Sequence, residues 1–231
     1  MTRAGRDTPV SAQPAPSVLE IIRSGTELGP VPLVPEIRLY QASEPIGLWQ
    51  RTEQAAGRTG LDPPFWAFAW AGGRALARYL LDHPEAVSGR HVIDVASGSG
   101  LVAIAAARAG AATVTAYDID PLAAAAIAVN AGVNGVTVAA ECADLLNTEA
   151  PPAPGPDLVL VADAFYEKDL AGHVLRFAER SRALGADVLV GDFGRTYLPR
   201  ARLVPLASYD VPGLLAMEGS DIKRTTVWTL R

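Results

Sequence analysis

The residues best suited to bind a cofactor gather in one short stretch, a glycine-rich turn that follows an apolar segment. The segment Val92–Val95 leads into the small residues 96–100, and Asp94 interrupts the apolar segment itself. Small residues let the backbone approach a ligand closely, and the first N–H groups of a following helix are free to meet it. Residues 98–103 also fit the dinucleotide form Gly-x-Gly-x-x-Ala, with Asp118 placed 20 residues beyond the first glycine. A tight turn without any ligand is the alternative interpretation.

The positions of the acidic residues favour S-adenosylmethionine over NAD as the ligand of this turn. A dinucleotide-binding strand is normally apolar up to its first glycine, whereas Asp94 can face the cationic amine of a methionine moiety. Asp118 could accept both ribose hydroxyls, and Asp144 could accept the adenine amino group. Because S-adenosylmethionine carries a net positive charge, carboxylates suit it, and they suit a pyrophosphate poorly. Each acid taken alone could instead be a helix cap or part of a solvated loop.

The elements that must position these residues alternate between strand and helix from about residue 90 to residue 191. Strands are predicted at 92–95, 113–117, 136–140, 158–162 and 187–191. This alternation predicts an α/β fold, a doubly wound and mostly parallel sheet of seven strands that binds its ligand at the carboxyl ends of the strands. Two longer strands at 202–209 and 225–230, with no helix between them, predict an antiparallel C-terminal hairpin at the sheet edge.

The chain divides into three predicted parts. Residues 1–16 are rich in proline and small residues and are expected to be flexible. Residues 17–89 are expected to form a helical extension that packs on the core, with Pro30, Pro32 and Pro35 keeping one stretch extended. Its helices are predicted at 17–24, at 45–56, and from the aromatic segment 65–70 to Asp82. Residues 90–231 are predicted to be the cofactor-binding core.

Composition excludes several other classes of protein. The chain has 231 residues, 49% of them hydrophobic and 19% charged, which suits one globular domain. Its net charge of −5 argues against a nucleic-acid partner. One cysteine and three scattered histidines predict neither a disulfide nor a metal site. We find no signal peptide in residues 1–16 and no stretch long enough to span a membrane, so we expect a cytoplasmic monomer.

Several motifs resemble those of a known family. Residues 92–100, 117–121 and 163–166 are similar to the motifs of seven-strand class I methyltransferases, and Asp163-Ala164-Phe165-Tyr166 resembles the D-x-x-Y signature of their protein-lysine branch. Four further segments narrow the resemblance to the electron transfer flavoprotein beta subunit lysine methyltransferases and their bacterial relatives: 64–73, 119–121, 191–195 and 225–228. The resemblance covers roughly residues 60–231.

The resemblance implies roles for individual residues. Asp163 and Tyr166 would be the catalytic residues that line the channel of the acceptor lysine, and Ala162 would lie near the sulfonium. Together with the residue patterns above, it gives this expected cofactor-binding set: Trp70, Asp94, Ala96, Ser97, Gly98, Gly100, Asp118, Ile119, Asp144, Leu145 and Ala162. Ala96 departs from the commonest pattern, which has glycine there, and is acceptable if its φ is negative.

The predicted activity is S-adenosylmethionine-dependent N-methylation of lysine side chains in a protein such as the electron transfer flavoprotein beta subunit. Asp163 would aim the lysine and could accept its proton through water, while Tyr166 would form a wall of the channel or hold Asp163. The alternatives are a small-molecule N-methyltransferase of nicotinamide type and a non-catalytic nucleotide-binding module. Trp66 is expected to be a packing residue, and Arg195 could be merely a solvated loop residue.

Overall fold

The computed structural model describes residues 18–57, 59–148, 152, 155–213 and 222–231. The predicted flexible segment 1–16 lies outside these residues. The elements, in chain order, are α1 (Val18–Gly25), β1 (Glu27–Val31), β2 (Val34–Gln41), α2 (Pro45–Ala56), α3 (Ala71–Asp82), β3 (His91–Val95), α4 (Leu101–Arg108), β4 (Thr113–Asp118), α5 (Pro121–Val133), β5 (Ala139–Cys142), β6 (Leu158–Ala162), α6 (Lys168–Ala183), β7 (Asp187–Asp192), β8 (Leu203–Pro212) and β9 (Ile222–Leu230).

The main sheet has seven strands in the order β5-β4-β3-β6-β7-β9-β8. The first five of these run parallel, whereas β9 pairs antiparallel with both β7 and β8. The predicted doubly wound sheet with an antiparallel C-terminal hairpin is therefore confirmed. The chain winds outward from β3 to β5 and then returns to β6, so the strand order reverses beside β3. A reversal of this kind opens a crevice at the carboxyl ends of the strands.

Two hydrophobic clusters cover the two faces of the sheet. One contains residues of α3 and α4, and the other contains residues of α6. Because successive side chains of a strand point to opposite faces, β6 contributes Leu158 and Leu160 to the first cluster and Val159 and Val161 to the second. All four side chains are at most 1% exposed. The uninterrupted apolar run of β6 thus reflects a strand covered on both faces.

The N-terminal extension differs from the predicted helical one, because an antiparallel pair of strands lies between its helices α1 and α2. Asn130 of α5 and Asn134, the residue that follows this helix, hydrogen-bond to the backbone of β2. The Asn134 amide accepts from the Arg38 N–H at 3.0 Å and donates to the Arg38 carbonyl at 2.6 Å, and Asn130 accepts from the Tyr40 N–H at 2.9 Å. Asn130 also donates to the carbonyl oxygen of Ser99 at 2.9 Å, which ties the extension to the glycine-rich turn.

Several element boundaries also differ from prediction. The third core strand begins three residues later than predicted, at Ala139, and the aromatic segment before α3 forms a short 3-10 helix, Phe65–Ala67, followed by extended residues. Ser17, the predicted cap of the first helix, and residues 214–221 between β8 and β9 lie outside the described residues. In the part of the chain that the structure describes, no helix is long and apolar enough to cross a membrane.

Candidate active site

A cavity of about 700 Å³ lies at the carboxyl ends of the parallel strands. It is lined by twelve of the thirteen residues predicted for the site: Trp70, Asp94, Ala96, Ser97, Gly98, Asp118, Ile119, Asp144, Leu145, Ala162, Asp163 and Tyr166. Its volume falls in the range of cavities that bind small molecules and cofactors. The structure therefore brings together residues from four separate strand ends.

Gly100 is the predicted site residue that does not line the cavity. It precedes α4 with φ +80°, and a Cβ atom there would lie 3.2 Å from the Cα and Cγ1 atoms of Ile127 on α5. Glycine therefore serves the turn conformation and the close approach of α5. Its place in the motif is explained by packing.

Asp94 is buried beneath the glycine-rich turn and holds it from below. Its Oδ2 accepts a hydrogen bond from the Ser97 hydroxyl at 2.5 Å and another from the Ala103 N–H at 3.1 Å. Burial raises the pKa of the Asp94 carboxyl to about 7, while these two hydrogen bonds lower it. A carboxyl in this state can become ionised when a cation arrives above it.

Asp118 ends β4 beside the same turn. It accepts from the Gly98 N–H at 2.8 Å and from the Asp120 N–H at 3.0 Å. Burial raises the pKa of the Asp118 carboxyl, and these N–H groups lower it. Since a carboxylate offers about four lone pairs, two can still accept from a ligand. Asp144 is exposed and accepts hydrogen bonds from the backbone N–H and side-chain amide of Asn147.

Ala96 follows β3 with φ +52°, so the condition given for an acceptable alanine at this position, a negative φ, is not met. Asp163 follows the neighbouring strand β6 with φ +56°. Both are L-residues in the left-handed region, which costs about 1–2 kcal/mol per residue. Strained backbone of this kind clusters at ligand-binding and active sites because the surrounding structure must hold it in place.

Asp163 is 8% exposed and has partners on three elements. Its Oδ2 accepts from the Gly73 N–H of α3 at 2.8 Å, and its own N–H donates to the Gly191 carbonyl of β7 at 3.0 Å. Its Oδ1 accepts from two nitrogens of Arg195. A Cβ atom at Gly72 would collide with this carboxylate and with the Gly191 carbonyl oxygen. Glycine at position 72 therefore lets α3 approach the strand ends.

Arg195 is a site residue that sequence reasoning missed. Its Nε and Nη2 atoms donate to Asp163 Oδ1 at 3.3 and 3.1 Å, and its side chain is only 17% exposed. The expectation of a solvated loop residue is therefore wrong. The pairing spans 32 positions in sequence and depends on how β6 and β7 align. The signal in the sequence was the segment 191–195, which carried part of the family resemblance.

Aromatic side chains form the mouth of the cavity. Phe65 lies between Trp70 and Tyr166, with ring centroids 6.0 and 5.8 Å away, and the Trp70 indole N–H donates to the Phe65 carbonyl at 3.0 Å. Phe65 and Tyr166 are 40% and 47% exposed, so the mouth is open to solvent. Trp66 is buried at 1% exposure among apolar residues of α1, α2 and α5, as expected of a packing residue, although it also reaches the cavity wall.

The charge of the cavity lining is strongly acidic. Among the described residues that line the cavity, Arg195 is the one arginine or lysine, and eight acidic residues accompany it: Asp62, Asp94, Asp118, Asp120, Asp144, Asp163, Glu167 and Asp169. Such a lining suits a cationic ligand and disfavours a pyrophosphate. Within the described residues, no cluster of three or more histidine, cysteine or acidic side chains is arranged to hold a metal ion.

The family model for ribosomal protein L11 methyltransferase (PrmA) matches residues 76–163. The electron transfer flavoprotein beta subunit lysine methyltransferase of Rattus norvegicus is 35% identical over 202 residues, which cover 85% of this chain and 77% of the relative. The enzyme of the same name from Xenopus laevis is 36% identical over 210 residues, 88% of this chain and 83% of the relative.

Among solved structures, the ribosomal protein L11 methylase of Lactobacillus delbrueckii subsp. bulgaricus is 20% identical, with a TM-score of 0.49, and the match covers 71% of this chain and 81% of that one. The alignments with the two lysine methyltransferases cover 85% and 88% of this chain, so they extend far beyond the glycine-rich turn and include both sides of the cavity. Because they are more than 30% identical across most of both chains, the chain belongs to the family of electron transfer flavoprotein beta subunit lysine methyltransferases.

Proposed function

We propose that the protein is an S-adenosylmethionine-dependent methyltransferase that methylates lysine side chains of a protein such as the electron transfer flavoprotein beta subunit. The observation that carries this proposal is the single cavity that joins two sets of residues. Asp94, Gly98 and Asp118 line one side of it, and Asp163 and Tyr166 line the other. Family membership supports the choice of a protein lysine as acceptor.

The residues of the glycine-rich turn fit this cofactor. Asp94 lies beneath the turn, where it can meet the cationic amine, and Asp118 retains lone pairs for the two ribose hydroxyls. In the part of the chain that the structure describes, a Cβ atom at Gly98 would have no neighbour closer than 3.9 Å, so its outer side is open to a ligand. When bound, S-adenosylmethionine would supply a methyl group on a sulfonium; a neutral amine can take this methyl group as the thioether leaves, without a metal or a covalent enzyme intermediate.

The acceptor side must deliver lysine as a neutral amine. An unperturbed lysine has a pKa near 10.4, so deprotonating it at pH 7 costs about 4.6 kcal/mol. A free carboxylate at Asp163 would favour the ammonium form, whereas Arg195 offsets that charge. The rings of Trp70, Phe65 and Tyr166 add desolvation, which also favours the neutral amine. Holding the amine in line with the methyl group can supply up to about 7–11 kcal/mol in favourable systems.

A small-molecule N-methyltransferase is the nearest alternative, and the open aromatic mouth argues against it. An enzyme for a small acceptor benefits from enclosing its substrate, whereas a protein substrate presents its lysine from outside. Phe65 and Tyr166 are both more than a third exposed at this mouth. A non-catalytic binding module would have no need of the ion pair between the buried Asp163 and the partly buried Arg195. The cytoplasmic location and the monomeric state expected from the sequence also belong to this proposal.

Two measurements test the proposal. Calorimetry should give S-adenosylmethionine or S-adenosylhomocysteine a dissociation constant of the order of micromolar, about −8 kcal/mol, with weaker or absent binding of NAD. Incubation with methyl-labelled cofactor and recombinant electron transfer flavoprotein beta subunit should place label in the protein fraction. Tighter binding of NAD would contradict the cofactor assignment. Label transferred to nicotinamide and to no protein would contradict the acceptor.

A further inference from the structure

Two buried carboxylates and one guanidinium lie together behind the aromatic mouth. Asp192 ends β7 and is fully buried, and its Oδ1 accepts from the N–H groups of Gly194 and Arg195 at 2.6 and 2.7 Å. Its Oδ2 has no hydrogen-bond partner among the described residues and lies 3.9 Å from Arg195 Nε. Arg195 therefore lies between Asp192 and Asp163, and its cation is shared by two acids that are shielded from water.

The Arg195 side chain is held in place by rings as well as by carboxylates. Its Cζ atom lies 4.6 Å from the ring centroid of Phe193, and 5.9 Å from those of Trp70 and Tyr166. A guanidinium at such distances from a ring face is attracted by the negative face of the ring. Arg195 is thus held against both the Asp163 carboxylate and the aromatic rings of the mouth.

This position has a consequence for the acceptor amine. A carboxylate without a counter-cation would bind an incoming ammonium tightly and hold its proton. With Arg195 bound to one oxygen and the Gly73 N–H to the other, the Asp163 carboxylate has a counter-cation and a fixed rotamer. A second cation then meets one net negative charge, shared by Asp163 and Asp192, instead of the two that these acids would present without Arg195.

We propose that Arg195 is a positioning residue for the proposed lysine methylation, acting through Asp163. It fixes the Asp163 carboxylate from the loop after β7 and offsets its charge, so that the acceptor lysine enters without being trapped as an ammonium–carboxylate pair. This inference rests on the proposed function. It assigns a role to the loop residues 193–195, beyond the cofactor turn and the Asp163–Tyr166 motif.

The charged and titratable groups around Asp163 define the expected pH effect. Arg195 and Asp192 face it from β7 and the loop that follows, and Tyr166 lies beyond Arg195 at the mouth. Burial raises the pKa of Asp163 to about 6, the Arg195 cation lowers it, and the Asp192 carboxylate raises it. Removing the cation must therefore raise the pKa further.

The test compares Arg195→Gln, Arg195→Lys and the control Arg202→Gln, which breaks an exposed ion pair with Glu179 instead. We would measure kcat/KM against pH with recombinant electron transfer flavoprotein beta subunit. Loss of activity at low pH reports protonation of Asp163, so its midpoint should rise by at least about one unit in Arg195→Gln. Arg195→Lys keeps the positive charge but loses the planar guanidinium whose two nitrogens donate to Asp163. For this variant kcat should fall about tenfold, while the midpoint of the pH profile stays nearly unchanged. Arg202→Gln should match wild type.

Carbon-13 NMR of labelled aspartate, assigned with Asp163→Asn, follows the Asp163 titration without any acceptor. If wild type methylates no protein, the proposed function fails, while this titration still decides whether Arg195 sets the charge of Asp163. An unmoved NMR midpoint, or equal loss of rate at every pH, in a folded Arg195→Gln variant would overturn the proposal. If that variant does not fold, full activity of Arg195→Lys at every pH would overturn it as well.

Discussion

The two sides of the cavity each contain a non-glycine residue in the left-handed region, and they stabilise it in different ways. Ala96 follows β3 and Asp163 follows β6, the strand beside it, and their φ angles differ by only a few degrees. The Ala96 side chain is exposed and offers no polar group. The Asp163 side chain is buried and has hydrogen bonds to Gly73 and Arg195.

The difference separates a backbone requirement from a side-chain requirement. After β3, the conformation at position 96 places Ser97 so that its N–H donates to the Tyr117 carbonyl at 3.1 Å and its hydroxyl donates to Asp94. Any residue that tolerates positive φ would serve there, and glycine would serve best. After β6, the carboxylate itself connects α3, the strand end and Arg195, so its chemistry is needed as well as its conformation. Four variants or conditions test this distinction.

The largest expected effect is at Asp163. Asparagine tolerates positive φ and can still accept from the Gly73 N–H, so Asp163→Asn should fold and keep cofactor affinity within about threefold. Methylation of a protein acceptor should fall by at least about 100-fold, because the carboxylate that aims the acceptor lysine is lost and Arg195 keeps only Asp192 as a counter-charge. Initial rates and binding isotherms would be compared with Asp210→Asn, an exposed acid of β8. An active Asp163→Asn enzyme would reduce Asp163 to a structural role.

The next effect is expected on the cofactor side, at Asp118. Charge-assisted hydrogen bonds contribute about 1.5–3 kcal/mol each, and Asp118→Ala removes those to the ribose together with the one that holds Gly98. Calorimetry should show at least a tenfold loss of affinity for S-adenosylhomocysteine. Asp144→Ala should lose less, since Asp144 is exposed and already bonded to Asn147. Equal affinities for wild type and Asp118→Ala would mean that the ribose lies elsewhere.

A smaller effect should follow from pH. The Asp94 carboxyl of the free protein has a pKa of about 7, so below that pH it is largely neutral. The cationic amine of the cofactor favours the ionised form, and binding should release a proton. Affinity should therefore fall as pH drops from 8 to 6, by up to about tenfold per unit below the pKa. Calorimetric titrations in buffers of different ionisation enthalpy would detect the released proton. Asp94→Asn should make the cofactor affinity nearly independent of pH. Proton uptake on binding would contradict the assignment to Asp94.

The smallest effect is expected at Ala96. Ala96→Gly removes about 1–2 kcal/mol of left-handed backbone strain from the folded protein. Glycine also gives the unfolded chain more conformational freedom, which favours unfolding by about 0.5–1 kcal/mol. The free energy of unfolding should therefore rise by about 0.5–1 kcal/mol. Gly98→Ala is the matched control, because its φ is +55° and the new Cβ would lie 3.9 Å from the Trp66 Cα. The free energy of unfolding of Gly98→Ala should fall by a similar amount. Urea unfolding without ligand measures both, and a destabilised Ala96→Gly would mean that the Ala96 methyl group has a packing role.

The fold could be predicted well where local pattern and tertiary environment agree. The apolar run 158–162 and the proline-initiated helix 45–56 have the predicted boundaries, because both start and stop signals lie in the sequence itself. The strands β1 and β2 were missed because prolines at 30 and 35 argue against a sheet interior, yet this two-stranded sheet is all edge.

The site was predicted only in part, for a related reason. Residues that lie within one motif, such as Asp94 and Gly98, could be recognised together. Arg195 could not, because its role depends on a partner 32 residues away, and neither could the sign of φ at Ala96, which the surrounding backbone imposes. Gly100 belongs to the same motif as Gly98, but the packing of Ile127 explains its presence. Spacing along the chain thus identifies a turn without separating its contact residues from its supporting ones.

The fully buried amide of Asn130 gives the molecule a remote reporter of its own active site. One end of the amide accepts from the Tyr40 N–H and the other donates to the Ser99 carbonyl, so a single planar group joins the N-terminal hairpin to the glycine-rich turn. Opening of the glycine-rich turn would therefore also weaken the hydrogen bond from the Tyr40 N–H to Asn130. Deuterium uptake at the Tyr40 amide should then slow when cofactor is added, although Tyr40 does not line the cavity.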